Sequence, residues 1–111
     1  MIYHIAEQNV WQAQQGAETY HPTAFMQEGF VHCSDLQQVE RTANNYYQGR
    51  DDLVLLEIDP TQLVPETRYE NLLGGAEKFP HVYGEINKSA VQQVIELNWS
   101  EQGELLPIIL N

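Results

Sequence analysis

The run Leu53-Val54-Leu55-Leu56-Glu57-Ile58 limits the folds open to this chain more than any other stretch. A strand with one wet face alternates apolar and polar residues, so a nearly unbroken apolar run marks a strand buried on both faces. The run predicts a central strand with other elements packed on each side. Further strands are expected at Ile2 to Ala6, Phe30 to Cys33, Arg68 to Glu70, Val82 to Ile86 and Val94 to Trp99. Short helices are expected from Glu7 to Gln15, ended by Gly16, and from Thr23 to Glu28. The clearest helix begins at Ser34, where Ser34-Asp35-Leu36-Gln37 fits a capping box. Leu36, Val39, Ala43 and Tyr46 then form one apolar face, and Gly49 ends it. Turns are expected at Thr19 to Pro22, at Asp59-Pro60-Thr61 with Leu63 packed beneath, across Leu72 to Ala76, and at Ser100 to Gly103. Strands and helices are interspersed without a regular βαβ repeat, which predicts an α+β fold, with residues 1–111 as one domain.

Three of the four histidines sit inside short strand-like segments: His4 in Ile2-Tyr3-His4-Ile5, His32 in Phe30-Val31-His32-Cys33, and His81 in Phe79-Pro80-His81-Val82-Tyr83. A buried imidazole costs free energy unless its nitrogens find partners. Period-two geometry places His81, Tyr83 and Glu85 on one strand face, His32 opposite Val31 and Cys33, and His4 opposite Tyr3 and Ile5. Each histidine alone has a plain reading as a partnered core or rim residue. Converging histidine faces would instead bring imidazoles, a phenol and a carboxylate into one polar cleft, able to bind a polar ligand or move protons near neutral pH.

Other residues carry two readings. Ser34 is a helix N-cap, or a hydroxyl that joins first-turn N–H groups at a ligand's phosphate or amide. Glu70 is one more solvated glutamate, or an acid beside the glycine loop at a strand end. Trp11, Tyr20, Phe30 and Phe79 are core, with one or two serving as walls on which a flat ligand stacks. Cys33 faces away from its neighbour His32, so a cysteine–histidine nucleophile pair is not expected and Cys33 reads as a small core residue. Three histidines with Glu70 or Glu85 would suffice for a zinc or iron sphere, yet neither His-x-His nor His-x-x-x-His spacing occurs, and no metal ligand is assigned.

Sixteen acidic residues against five basic ones give a net charge of −11, a field that repels polyanions. Arg41, Arg50, Arg68, Lys78 and Lys88 form no basic stripe, which excludes duplex DNA and long RNA as expected partners. A single dinucleotide needs only one arginine and a few N–H groups. The lone Cys33 allows no intrachain disulfide and fits a reducing compartment. No apolar run approaches the ~20 residues of a membrane span, and Met1-Ile2-Tyr3-His4 lacks the basic start of a signal peptide, so a cytoplasmic protein with no membrane partner is expected.

At Gly29-Phe30-Val31-His32-Cys33-Ser34 with Gln38 soon after, and at Phe79-Pro80-His81-Val82-Tyr83-Gly84, the chain resembles the family known as domain of unknown function 952. The resemblance extends through Ile2-Tyr3-His4-Ile5 with Trp11, the Leu53 to Asp59 run and Glu70, and covers nearly the whole chain. It implies similarity to the ADP-ribosylation fold, an α+β domain with a split, strongly bent mixed sheet, a few short helices and a cleft that holds NAD in the active transferases. By position it matches His4 to their first-strand His or Arg, Ser34 or Tyr83 to a later hydroxyl or aromatic residue, and Glu70 or Glu85 to the glutamate that polarises the nicotinamide ribose. The family often has proline where this chain has Glu85, which favours Glu70.

Two functions are expected from these features. In one, the cleft binds a nucleotide-like or other small polar metabolite through His81, Tyr83, Ser34, Gln38, Phe30, Arg68 and Glu85, with Arg68 the one cation near the motifs. In the other, it carries out ADP-ribosyl transfer or NAD hydrolysis. There His4 and His32 orient ribose or nicotinamide, the ring stacks on Tyr83 or Phe30, and Glu70 stabilises the oxocarbenium-like carbon. A histidine–carboxylate metal site is a third reading.

Overall fold

The apolar run becomes strand β4 (Leu53–Ile58), and all six of its residues are buried in the computed structural model, which describes residues 1–110. It lies between β1 (Ile2–Glu7) and β8 (Val91–Glu96), antiparallel to both. Alternation along the strand divides the core in two: Val54, Leu56 and Ile58 enter one apolar cluster, while Leu53 and Leu55 enter the other. The same division runs along β1, with Ile2 and Ala6 in the first cluster and Tyr3 in the second. Glu57 interrupts the run yet stays buried, because its carboxylate accepts from the Tyr3 hydroxyl (2.8 Å) and from Gln93 Nε2 (3.0 Å).

The second cluster is covered by helix α3 (Leu36–Tyr46), which buries Val39 and Ala43 while Leu36 and Tyr46 stay exposed. Its N-cap is Asp35, whose N–H donates to Gln38 Oε1 (2.9 Å), so the capping box sits one residue later than the Ser34–Gln37 spacing predicts. Ser34 is already committed to β1: the Tyr3 N–H donates to the Ser34 carbonyl (2.8 Å) and the Ser34 N–H to the Tyr3 carbonyl (2.7 Å).

The first cluster is covered by a second sheet, β3 (Val31–His32), β6 (Phe79–Tyr83) and β5 (Glu66–Glu70) in the order β3-β6-β5, which contributes Val31 and Val82. Thr19 and Tyr20, expected as part of a turn, instead form β2 (Thr19–Tyr20), paired with β7 (Ile86–Asn87). Helices α1 (Gln8–Ala13) and α2 (Phe25–Glu28) are shorter than expected. The fold is therefore α+β, but the expected mixed sheet is replaced by three small sheets whose strand pairs are all antiparallel. Short links such as the one between β5 and β6 permit that direction without a crossover. The strand expected from Val82 to Ile86 is broken at Gly84, where a Cβ would lie 2.7 Å from the Cβ of Pro65. The chain thus turns out of β6 at a position only glycine fits. Among the described residues no helix is long and apolar enough to cross a membrane.

Candidate functional site

Register builds the site. In the β3-β6-β5 sheet His32 stands opposite His81, His81 opposite Arg68, Tyr83 opposite Glu66 and Phe79 opposite Glu70. Since Val31 and Val82 point into the core, period two turns His32, His81, Tyr83, Glu66, Arg68 and Glu70 to the other face. Phe30, just ahead of β3, lays its ring on His81 with centroids 4.5 Å apart and 27° between the planes. His32 meets His81 edge-on at 5.2 Å, and Tyr83 lies 5.4 Å from Phe30.

At the centre is Glu70. Its Oε1 accepts from His81 Nδ1 (3.0 Å) and from the Tyr83 hydroxyl. Those two donors, Tyr83 foremost, hold the Glu70 carboxyl below its ordinary range, and the same carboxylate pushes the Tyr83 phenol up. An ionised Glu70 only accepts, so Nδ1 carries the proton that faces it, and Nε2 is the ring nitrogen left without a hydrogen bond among the described residues. His81 is only 5 % exposed, whereas the His32 side chain is 60 % exposed and donates from Nε2 to Glu28 (3.2 Å). The Arg68 guanidinium lies 4.4 Å from the Tyr83 ring centroid and pairs with Glu66. Glu28 and Glu66 were not singled out from the sequence, although Glu66 stands two residues before Arg68, the spacing that puts both on one strand face.

Other expected site residues lie elsewhere. His4 does not converge with His81: it projects from β1 into the first core cluster's side, donates from Nδ1 to the His32 carbonyl (2.7 Å) and accepts at Nε2 from the Tyr20 hydroxyl (3.0 Å). Burial pushes its pKa down to about 4, although the His32 carbonyl opposes this. Glu85 sits past the Gly84 break and accepts from Thr19 Oγ1 (2.6 Å), with His21 Nδ1 at 3.5 Å, so it does not share the face of His81 and Tyr83. Gln38 uses its amide to cap α3 and to donate to the Lys78 carbonyl (2.9 Å), which ties the helix to the segment before β6. Ser34 is buried at the β1 bridge. Cys33 is buried in the first cluster, and burial pushes its thiol up, which keeps it unreactive as expected.

Among the described residues no three His, Cys, Asp or Glu side chains are placed to hold a metal ion. Two shallow concavities, of about 220 and 210 Å³, lie along β8 and around Leu105 to Ile108, and neither includes a residue of the histidine face. The polar cluster lies on the sheet face turned away from Val31 and Val82, with His81 beneath Phe30.

Fold and site define an α+β protein with an aromatic, acid-fixed histidine face on a small antiparallel sheet. Residues 5–94 match the family described as protein of unknown function (DUF952), and the chain belongs to that family. It is similar to the crystal structure of protein CC0527 from Caulobacter crescentus, with a TM-score of 0.82 and 27% identity over 95% of this chain and 92% of that one. A crystal structure of a double mutant of CC0527 matches with a TM-score of 0.82 and 26% identity at the same coverage. The solution NMR structure of CC0527 matches with a TM-score of 0.71 and 27% identity over 93% of this chain and 89% of that one. No curated protein matches.

Proposed function

We propose that the face built by Phe30, His32, His81, Tyr83, Arg68 and Glu70 binds a small polar metabolite of nucleotide-like chemistry. The observation that carries this reading is the single Glu70 oxygen that receives both the Tyr83 hydroxyl and His81 Nδ1–H (3.0 Å), fixing a phenol and an imidazole side by side. Val31 and Val82 pack the sheet to the core from its other face, so that packing does not depend on the outward cluster, whose accessible members are His32, Arg68 and Tyr83. The half-buried Tyr83 supplies ring surface for a flat base, Arg68 supplies donors, the exposed His32 a polar ring edge, and Glu70 Oε2, which has no hydrogen bond among the described residues, is an acceptor for a sugar hydroxyl.

ADP-ribosyl transfer or NAD hydrolysis is the second reading, in line with the resemblance to the ADP-ribosylation fold. One feature favours it: Glu70 is held ionised by Tyr83 and His81, the state required of a group that stabilises an oxocarbenium-like carbon. His4 takes no part in it, because both its nitrogens are bonded inside the protein.

Thermal-shift titrations with AMP, ADP-ribose and NAD test both. Binding raises Tm with ligand concentration, and the rise is expected to vanish in His81→Ala and shrink in His32→Ala. A flat Tm with all three ligands would overturn the proposal. Nicotinamide release that slows in Glu70→Gln while the Tm shift persists decides for transfer; a shift without release leaves binding alone.

A further inference from the structure

We propose that Arg68 reads the charge of the ligand, releasing Glu66 to take the phosphate of the nucleotide-like molecule bound at this face. The inference rests on the binding reading above and deepens it. The chain has three arginines, at 41, 50 and 68, and two of them join parts of the fold. Arg50 donates to Asp52 (2.6 and 2.9 Å) and to Glu7 (3.0 Å), tying the approach to β4 to the end of β1. Arg41 on α3 pairs with Glu77, which also accepts from Gln38 Nε2 (3.3 Å), tying the helix to the segment before β6.

Arg68 differs. Its Nε and Nη2 lie 2.9 and 2.8 Å from one oxygen of Glu66, two residues away on its own strand. Such a pair links no two elements, and at 53 % and 62 % side-chain exposure it adds little to stability. The guanidinium is nonetheless held in place, because it lies 4.4 Å from the centroid of a Tyr83 ring whose hydroxyl is anchored on Glu70. Glu66 offers that planar fork a single oxygen, whereas a phosphate offers two for a bidentate pair. The other charges on the face are already engaged: Glu70 by Tyr83 and His81, and Glu28 by His32. Arg68 is the cation of this face with a stronger partner to gain.

Calorimetry with adenosine, AMP and ADP tests the exchange in the wild-type chain, Glu66→Gln and Arg68→Gln. AMP and ADP are expected to bind the wild type about tenfold tighter than adenosine, the scale of one charge-assisted hydrogen-bonded pair. Glu66→Gln is expected to tighten AMP binding severalfold without changing adenosine, and Arg68→Gln to bring AMP down to the adenosine level. Both positions are exposed, so the wild-type Tm is expected in each variant and serves as the folding check. Equal affinity for AMP and adenosine, or no gain in Glu66→Gln, overturns the role of Arg68 and leaves the binding reading standing. Absence of binding by all three ligands removes that reading and this inference together.

Discussion

His4 and His81 are both buried imidazoles, and their partners give them different chemistry. His4 has a carbonyl on one nitrogen and a tyrosine hydroxyl on the other, which locks one neutral tautomer. His81 has a carboxylate on Nδ1 and no hydrogen bond on Nε2 among the described residues, the arrangement that suits ligand contact or proton transfer. The difference gives a pH signature. The unfolded chain protonates His4 as pH falls through its ordinary 6.5, whereas the folded protein resists until about 4. In that window the unfolded state holds more protons, so stability is full above pH 6.5 and declines as pH falls toward 4, by about 3 kcal/mol. Urea midpoints across this range are expected to fall in the wild type and to flatten in His4→Leu, after an offset of about 1–3 kcal/mol for the unpaired Tyr20 hydroxyl. Equal slopes would mean that His4 titrates in the folded state. Glu70, whose carboxyl Tyr83 and His81 hold below its ordinary range, adds a loss that sets in only at the acid end of this window, and it is common to the wild type and His4→Leu. The residue motifs pointed to both histidines, but period two places a side chain only relative to its own strand. What covers that side, and so which imidazole is enclosed, lay outside the local pattern.

At the scale of elements, the start of α3 shows how one local signal has two local solutions. Ser34 and Asp35 are both good N-caps, and Gln37 and Gln38 are both able to close a box. The two backbone bonds between Ser34 and Tyr3 choose Asp35, because they keep Ser34 in extended pairing with β1. Asp35→Ala is therefore expected to lower stability by about 1 kcal/mol, and Ser34→Ala by less than about 0.5 kcal/mol, as read from chemical denaturation. The reverse order would place the cap at Ser34. The same reasoning explains Glu85. Alternation carried it onto the face of His81 and Tyr83, but the close approach of Pro65 at Gly84 ends β6 first and sends Glu85 to Thr19 instead.

For the whole molecule, β4 is the element through which both halves of the core communicate. Its even residues pack against the second sheet, its odd ones beneath α3, and a tryptophan lies at each cluster, Trp11 at the first and Trp99 at the second. Two single-tryptophan variants, Trp11→Phe and Trp99→Phe, are expected to report unfolding at the same denaturant midpoint as far-UV circular dichroism, because neither cluster survives loss of the strand they share. Separated fluorescence midpoints would show that the two sides unfold independently. The likeness to CC0527, with a TM-score of 0.82 at 27% identity, shows this arrangement on a largely different set of side chains. By itself, the sequence determined the central strand, the α+β class, the family and the histidine motifs, since each is written in the period or the local order of residues. Only the tertiary structure decided that every strand pair is antiparallel, that Glu70 is the acid of His81 and that His4 belongs to the interior. Those outcomes depend on which distant surfaces meet and how each strand registers with its neighbour, and no stretch of sequence carries that information alone.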